Sequence, residues 1–175
     1  MYELDCKGAA RLGHDGDEQV FLLPGQWYFG ANRATVKTLL GSCIAFTLWH
    51  PRRLIGGMCH FLLPTRARYT DAPLDGRFGD EAMALLAREI HKAGTHVNEY
   101  EVHLYGGADT MPEVCSLKFH IGQRNVEKSW EIVEEYGFQL HSFDVGGCEP
   151  RNVTINLANG QVMLKRGETL FGKTM

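Results

Sequence analysis

The chain has 175 residues, 44% of them hydrophobic and 22% charged, with a formal net charge of −3, which describes one ordinary globular domain able to bury a core without staples. That charge, with no basic cluster interleaved with aromatics, gives no electrostatic case for nucleic-acid binding, and no apolar run is long enough for membrane insertion. The N-terminal stretch MYELDCKGAARLGHDGDE lacks the apolar centre of a signal peptide, and the five cysteines (Cys6, Cys43, Cys59, Cys115, Cys148) form no C-x-x-C pair, so a cytoplasmic protein without a disulfide framework is expected.

Taken in order, the first seventeen residues are polar and read as a loosely held arm. Strand character begins near Glu18 with QVFLLPGQWYFG and continues through TVKTLLGSC. Residues 43–50 (CIAFTLWH) and the segment LIGGMCHFLL are apolar and suit strands, and HPRR supplies the turn of a hairpin between them. Pro64 ends the second strand, and residues 65–77 read as a loop. Phe78, Ala82, Leu85, Leu86 and Ile90 recur at helical spacing, with Asp80 and Glu81 near the start, Lys92 in the last turn and Gly94 as the stop. YEVHLYGGA is a strand running into a Gly-Gly turn, and residues 108–124 are irregular. A second helix is predicted over 126–136, with Asn125 as N-cap, Val126, Trp130 and Val133 on one face, and Gly137 closing it. FQLHSFDVG, NVTINLA and QVMLKR are three further strands, the last two joined by a hairpin at Asn159-Gly160. Many strands and two helices predict a mixed-sheet α+β architecture with the helices on an outer face.

The chemistry turns on LLGSCIAFTLWHPRRLIGGMCHFLLP, residues 39–64. Gly41-Ser42 before Cys43 permits a tight turn whose backbone N–H groups can converge on an oxyanion. In an antiparallel hairpin, Cys43 comes near His60, while Cys59 and His60 point to opposite faces. A cysteine attacks only as thiolate, which calls for a base or a positive dipole beside it. The alternative is an ordinary core, in which thiols act as small hydrophobes and His60 is a strand-end histidine. Zinc is disfavoured because Cys115 and His120 lack a second ligand pair.

LLPGQWYFG, TLLGSCIAFTLWHP, GGMCHFLLP, GDEAMALL, LYGGA, IGQRNV and DVGGCEPRNVTIN, in order from about residue 20 to 166, together resemble the CheD family of chemoreceptor glutamine deamidases. The resemblance implies a layered α/β/β sandwich, with Cys43 as nucleophile and His60 as its base. Thr38 is the nearest match to the family's third member, a threonine shortly before the cysteine. A one-residue difference in this segment would separate it from His60 and leave an ordinary strand threonine. The implied reaction is hydrolysis of a receptor glutamine amide, with Ser42 and Cys43 backbone N–H groups holding the oxyanion, and no metal or organic cofactor. The implied partners are methyl-accepting chemotaxis receptors as substrate and a CheC-type phosphatase that the chain could dock on and modulate. On this view the Cys43 thiolate is stabilised by His60 and backbone dipoles, so Cys43 should be alkylated ahead of the other four cysteines.

The Gly106-Gly107 and Gly146-Gly147 pairs fit no phosphate-loop pattern and read as tight turns beside the site. Arg124 either caps the second helix or borders a substrate groove. Trp27, Tyr28 and Phe29 either line such a groove or pack in a strand. Arg52, Arg53, Arg66 and Arg68 form the only local basic patch.

Overall fold

The computed structural model describes residues 10–14, 17–31, 33–68, 70–110 and 120–167. In chain order these form β1 (Ala10–His14), β2 (Asp17–Leu22), β3 (Trp27–Ala31), β4 (Thr35–Leu40), β5 (Ile44–His50), β6 (Ile55–Phe61), α1 (Gly79–Lys92), β7 (Glu101–Gly106), α2 (Ile121–Tyr136), β8 (Leu140–Val145), β9 (Arg151–Asn156) and β10 (Val162–Arg166). Residues 1–9 and 15–16 of the expected arm lie outside the described residues. Between them, β1 is not loose but pairs antiparallel with β2.

Two five-stranded mixed sheets result, one ordered β1-β2-β4-β9-β10 and the other β3-β6-β5-β7-β8. Strand alternation sorts the second sheet's side chains onto two buried faces. Ile44, Phe46, Leu48, Cys59 and Phe61 face α1 and α2, where Met83, Leu86, Ile90 and Ile132 meet them. Ala45, Trp49, Met58 and Tyr28 face the first sheet, against Leu22, Val36, Leu40, Val153 and Ile155. A sheet buried on both sides needs near-continuous apolar strands, and all seven residues of β5 are buried. The layers are therefore helices, sheet and sheet, an α+β fold of the expected kind. Among the described residues, no helix is long and apolar enough to cross a membrane.

The α1 limits match the sequence pattern, with Gly94 in the left-handed region beyond its end. The second helix does not. It starts at Ile121, so Asn125 is no N-cap but a fully buried residue one turn inside the helix. Its buried face is Gly122, Asn125, Ser129 and Ile132, whereas Trp130 is 38% exposed and stands edge-on to Phe143. Small and polar residues form that stripe because α2 lies close against the ends of the strands. The apolar set Val126, Trp130 and Val133 flanks it. Of the stretch expected to be irregular, residues 111–119, including Cys115, lie outside the described residues.

Candidate active site

The chain crosses from the first sheet to the second at Gly41-Ser42-Cys43, between the end of β4 and the start of β5. β5 and β6 pair with Ala45 opposite His60 and Ile44 opposite Phe61. Cys43 lies two residues before Ala45, so Cys43 and His60 are diagonal neighbours on the inter-sheet face. Cys59 lies on the opposite face, fully buried under the helices. Thr38 reaches His60 from the other sheet, its Oγ1 2.7 Å from Nδ1. The family resemblance thus pointed to a threonine that meets the histidine across the inter-sheet core rather than along one sheet.

The hydrogen bonds select one tautomer. Thr38 has one hydroxyl proton and donates it to the Leu22 carbonyl at 2.8 Å. Its oxygen then accepts from His60 Nδ1–H, which leaves Nε2 as the unprotonated nitrogen of the neutral ring. Nε2 is buried and has no partner among the described residues. The backbone of His60 is pinned as well: its N–H donates to the Gln26 carbonyl at 3.1 Å, and its carbonyl accepts from Gly25 N–H at 2.7 Å.

Protonation follows burial. Burial lowers the His60 pKa from 6.5 to about 4, opposed by the nearby Leu22 carbonyl, which favours the charged ring. Burial pushes the Cys43 thiol up to about 11, only partly offset by a hydrogen bond with the Ser42 side chain. The resting pair is therefore a neutral thiol beside a neutral imidazole, which corrects the expectation of a stabilised thiolate. Desolvation penalises both charged forms, and among the described residues no cation neighbours the sulfur to compensate. Such a pair can work by general-base transfer as the sulfur attacks.

Around Cys43 three successive carbonyls are held. Gly41 O accepts from Ala108 N–H at 3.0 Å, Ser42 O from Asn125 Nδ2 at 3.0 Å, and Cys43 O from Gly107 N–H at 2.8 Å. In a trans peptide the N–H points opposite its own carbonyl, so these bonds also fix where the Ser42 and Cys43 N–H groups point. The Gly106-Gly107 turn makes this approach possible. Gly106 has φ +116°, and a Cβ there would stand 2.1 Å from the Cys43 carbonyl oxygen. The second glycine turn is tied in by Gly146 N–H to the Gly106 carbonyl at 2.9 Å, and buried Arg151 donates to the Gly106 and Gly146 carbonyls and to Asp144. Ser42, Gly107, Gly146, Gly147, His120 and Gln123 border a cleft of about 430 Å³. Both glycine pairs thus turn beside the site, as expected.

With this geometry in view, comparison with known proteins is decisive. The family model described as CheD chemotactic sensory transduction matches residues 62–166, more than half of the chain. The chain is also 41% identical, over 86% of its length and 79% of the relative's, to a Chromobacterium violaceum protein named "Probable chemoreceptor glutamine deamidase CheD 1". A Pseudomonas fluorescens relative of similar name is 41% identical over 86% of this chain and 85% of its own, and one from Dechloromonas aromatica 41% over 83% and 86%. The chain belongs to the CheD family.

For this CheD-family chain, the structure brings Thr38, His60 and the Ser42-Cys43 turn to one end of the inter-sheet layer. Tyr28 and Phe29 are core residues on opposite faces of β3, and Trp27 packs partly buried against the helix-side core, which is the strand-packing alternative. Arg124 continues the helix, its N–H donating to the His120 carbonyl. Arg66, in the 65–77 loop, forms a two-pronged ion pair with Glu81 of α1. Sequence reasoning missed Asn125 and Arg151 as supports of the site. The available signal for Asn125 was the spacing of Gly122, Asn125, Ser129 and Ile132, a helical stripe too small and polar to be read as a core face. Among the described residues, no cluster of His, Cys, Asp and Glu could hold a metal.

Proposed function

We propose that this chain, acting as a single domain over residues 1–175, is a protein-glutamine glutaminase that converts glutamine side chains of methyl-accepting chemotaxis receptors to glutamate. The observation that carries the mechanism is His60: its Nδ1 is committed to Thr38, and its buried Nε2 has no partner among the described residues and lies on the sheet face that Cys43 shares. The names of the relatives supply the substrate class.

In the proposed reaction His60 Nε2 takes the Cys43 thiol proton as Sγ bonds to the glutamine amide carbon. The carbonyl π electrons move to oxygen, and the Ser42 and Cys43 N–H groups receive the oxyanion. The intermediate collapses with cleavage of the C–N bond, and His60 returns the proton so that ammonia leaves. Water, deprotonated by the same Nε2, attacks the thioester. Its collapse releases glutamate and a sulfur that regains its proton. Thr38 keeps Nδ1 protonated throughout, so Nε2 does all the proton transfer. Each turnover replaces a neutral amide with a carboxylate, a charge change able to alter helix packing in a receptor.

The proposed compartment is the cytoplasm, and a CheC-type phosphatase is a proposed second partner, to be checked by co-elution of the purified proteins. The glutaminase activity is tested by incubating receptor cytoplasmic fragments with the protein and mapping Gln-to-Glu conversion by mass spectrometry alongside ammonia release. Conversion at discrete glutamines is the expected result; none on any of several receptor fragments would overturn the reading.

A further inference from the structure

The last ladder pair of the β5–β6 hairpin is Ile44–Phe61, so Cys43 and Leu62 lie beyond the end of their mutual pairing. Something other than the hairpin must set the separation between the nucleophile's segment and the strand that carries His60. Asn125 spans that gap. Its Nδ2 donates both protons, one to the Ser42 carbonyl at 3.0 Å and one to the Leu62 carbonyl at 2.8 Å. Because both partners are carbonyl oxygens, only the nitrogen of the amide can face them.

We infer that Asn125 is a positioning residue for the reaction: a single side-chain NH2 group that closes the open end of the hairpin and fixes Cys43 and its oxyanion-binding N–H groups relative to His60. The inference rests on the glutaminase reading for its activity consequences but on geometry alone for the placement of Cys43. Two features set Asn125 apart from a routine buried polar residue. It is fully buried, yet its Oδ1 has no partner among the described residues, so the amide is retained for its two donors despite an unmatched acceptor. It also holds the Ser42 carbonyl, whose peptide carries the Cys43 N–H; turning that carbonyl turns the N–H away from the oxyanion. Through α2, the clamp further joins the cleft border at Gln123 and Val126 to the reacting sulfur.

The test compares Asn125→Leu, similar in size but without donors, with Asn125→Ala, the milder change that keeps the test open should the first fail to fold. Ser129→Ala is the control: it lies on the same buried stripe of α2, but among the described residues its hydroxyl bonds only to the Val126 carbonyl within the helix. Activities are normalised to folded protein at a temperature well below each unfolding transition. The expected result for the Asn125 variants is a kcat for receptor-fragment deamidation lower by about ten-fold or more, with KM within about three-fold, since substrate binding is left in place while the transition state loses its fit. The ratio of Cys43 to Cys148 alkylation by iodoacetamide should rise several-fold as the turn loosens, and Ser129→Ala should move neither readout. Wild-type kcat in either folded Asn125 variant, or an unchanged alkylation ratio, would overturn the inference. If the unaltered protein releases no ammonia, the glutaminase reading fails, and the alkylation ratio alone decides whether Asn125 positions Cys43.

Discussion

Cys43 and Cys59 belong to one hairpin, yet they occupy opposite chemical worlds. Cys59 is fully buried on the helix-facing side of the sheet, among Phe46, Phe61 and Met83, and its thiol is pushed by burial up to about 12. Cys43 is half-buried on the inter-sheet side, where the chain passes between sheets, and shares that face with His60. Composition cannot distinguish the two, but position can. A period of two decides which face each thiol takes, and the end of the ladder decides which one follows Ser42 at the cleft border. The same contrast explains why Thr38 matters: the inter-sheet face offers partners from two sheets, whereas Cys59 on the helix-facing side sits in an apolar cluster with Phe46, Phe61 and Met83.

The sharpest break between the two cysteines is in turnover. Cys43→Ala should lower kcat for receptor-fragment deamidation by about 10⁴-fold or more, with little change in unfolding temperature. Cys59→Ala should keep activity within a few-fold and cost about 1 kcal/mol of stability from the cavity left under the helices. Ammonia release and thermal melts on both variants check this, and retained turnover in Cys43→Ala would reverse the assignment.

His60→Asn removes the base from the Cys43 face alone and should lower kcat by about 10²–10⁴-fold while leaving receptor-fragment affinity unchanged. The same histidine gives the inter-sheet layer a pH signature. Its pKa is about 4 in the folded state and 6.5 when unfolded, so between those values the unfolded chain binds more protons. Stability contributed by the neutral ring is therefore complete above pH 6.5 and lost as the pH falls toward 4, by about 3 kcal/mol. Urea titrations at pH 7 and pH 4.5 on wild type and His60→Asn should show about 2 kcal/mol of the acid destabilisation disappearing in the variant; equal acid sensitivity would place the buried charge elsewhere. Thr38→Val keeps shape but removes the acceptor of Nδ1–H. A kcat lower by about ten-fold is expected, equivalent to about 1.4 kcal/mol, with unfolding easier by about 1–3 kcal/mol because a buried N–H is left unpaired.

The smallest effect is in resting reactivity. With both charged forms suppressed by burial, exposed Cys148 should be alkylated before Cys43, and Cys43 before sealed Cys59. Timed iodoacetamide labelling and peptide mapping read this order directly. Labelling of Cys43 ahead of Cys148 would instead restore the thiolate expected from the sequence.

Much of this was legible in the chain itself. Apolar β-formers in CIAFTLWH and LIGGMCHFLL, with HPRR between, announce the hairpin, and Asn159-Gly160 announces the last one. Alternation alone separates Cys59 from His60. What stayed hidden depends on long-range packing. Nothing local in VKTLLGSC says that Thr38 will face His60 from a different sheet. The start of α2 was misread because Gly122, Asn125 and Ser129 are weak helix-face signals, chosen for close approach and carbonyl satisfaction rather than apolar burial. The protonation state of Cys43 was also out of reach, since desolvation depends on neighbours that only the fold assembles.

The central claim is that Cys43, and not another thiol, forms the bond to the receptor glutamine. Acid-quenching the protein during turnover of a receptor fragment, then mapping covalently modified peptides by mass spectrometry, tests it most directly. The account predicts a thioester adduct on the peptide containing Cys43, absent in Cys43→Ala and diminished in His60→Asn. Continued deamidation with the adduct on Cys59 or Cys148, or undiminished deamidation in Cys43→Ala, would contradict it.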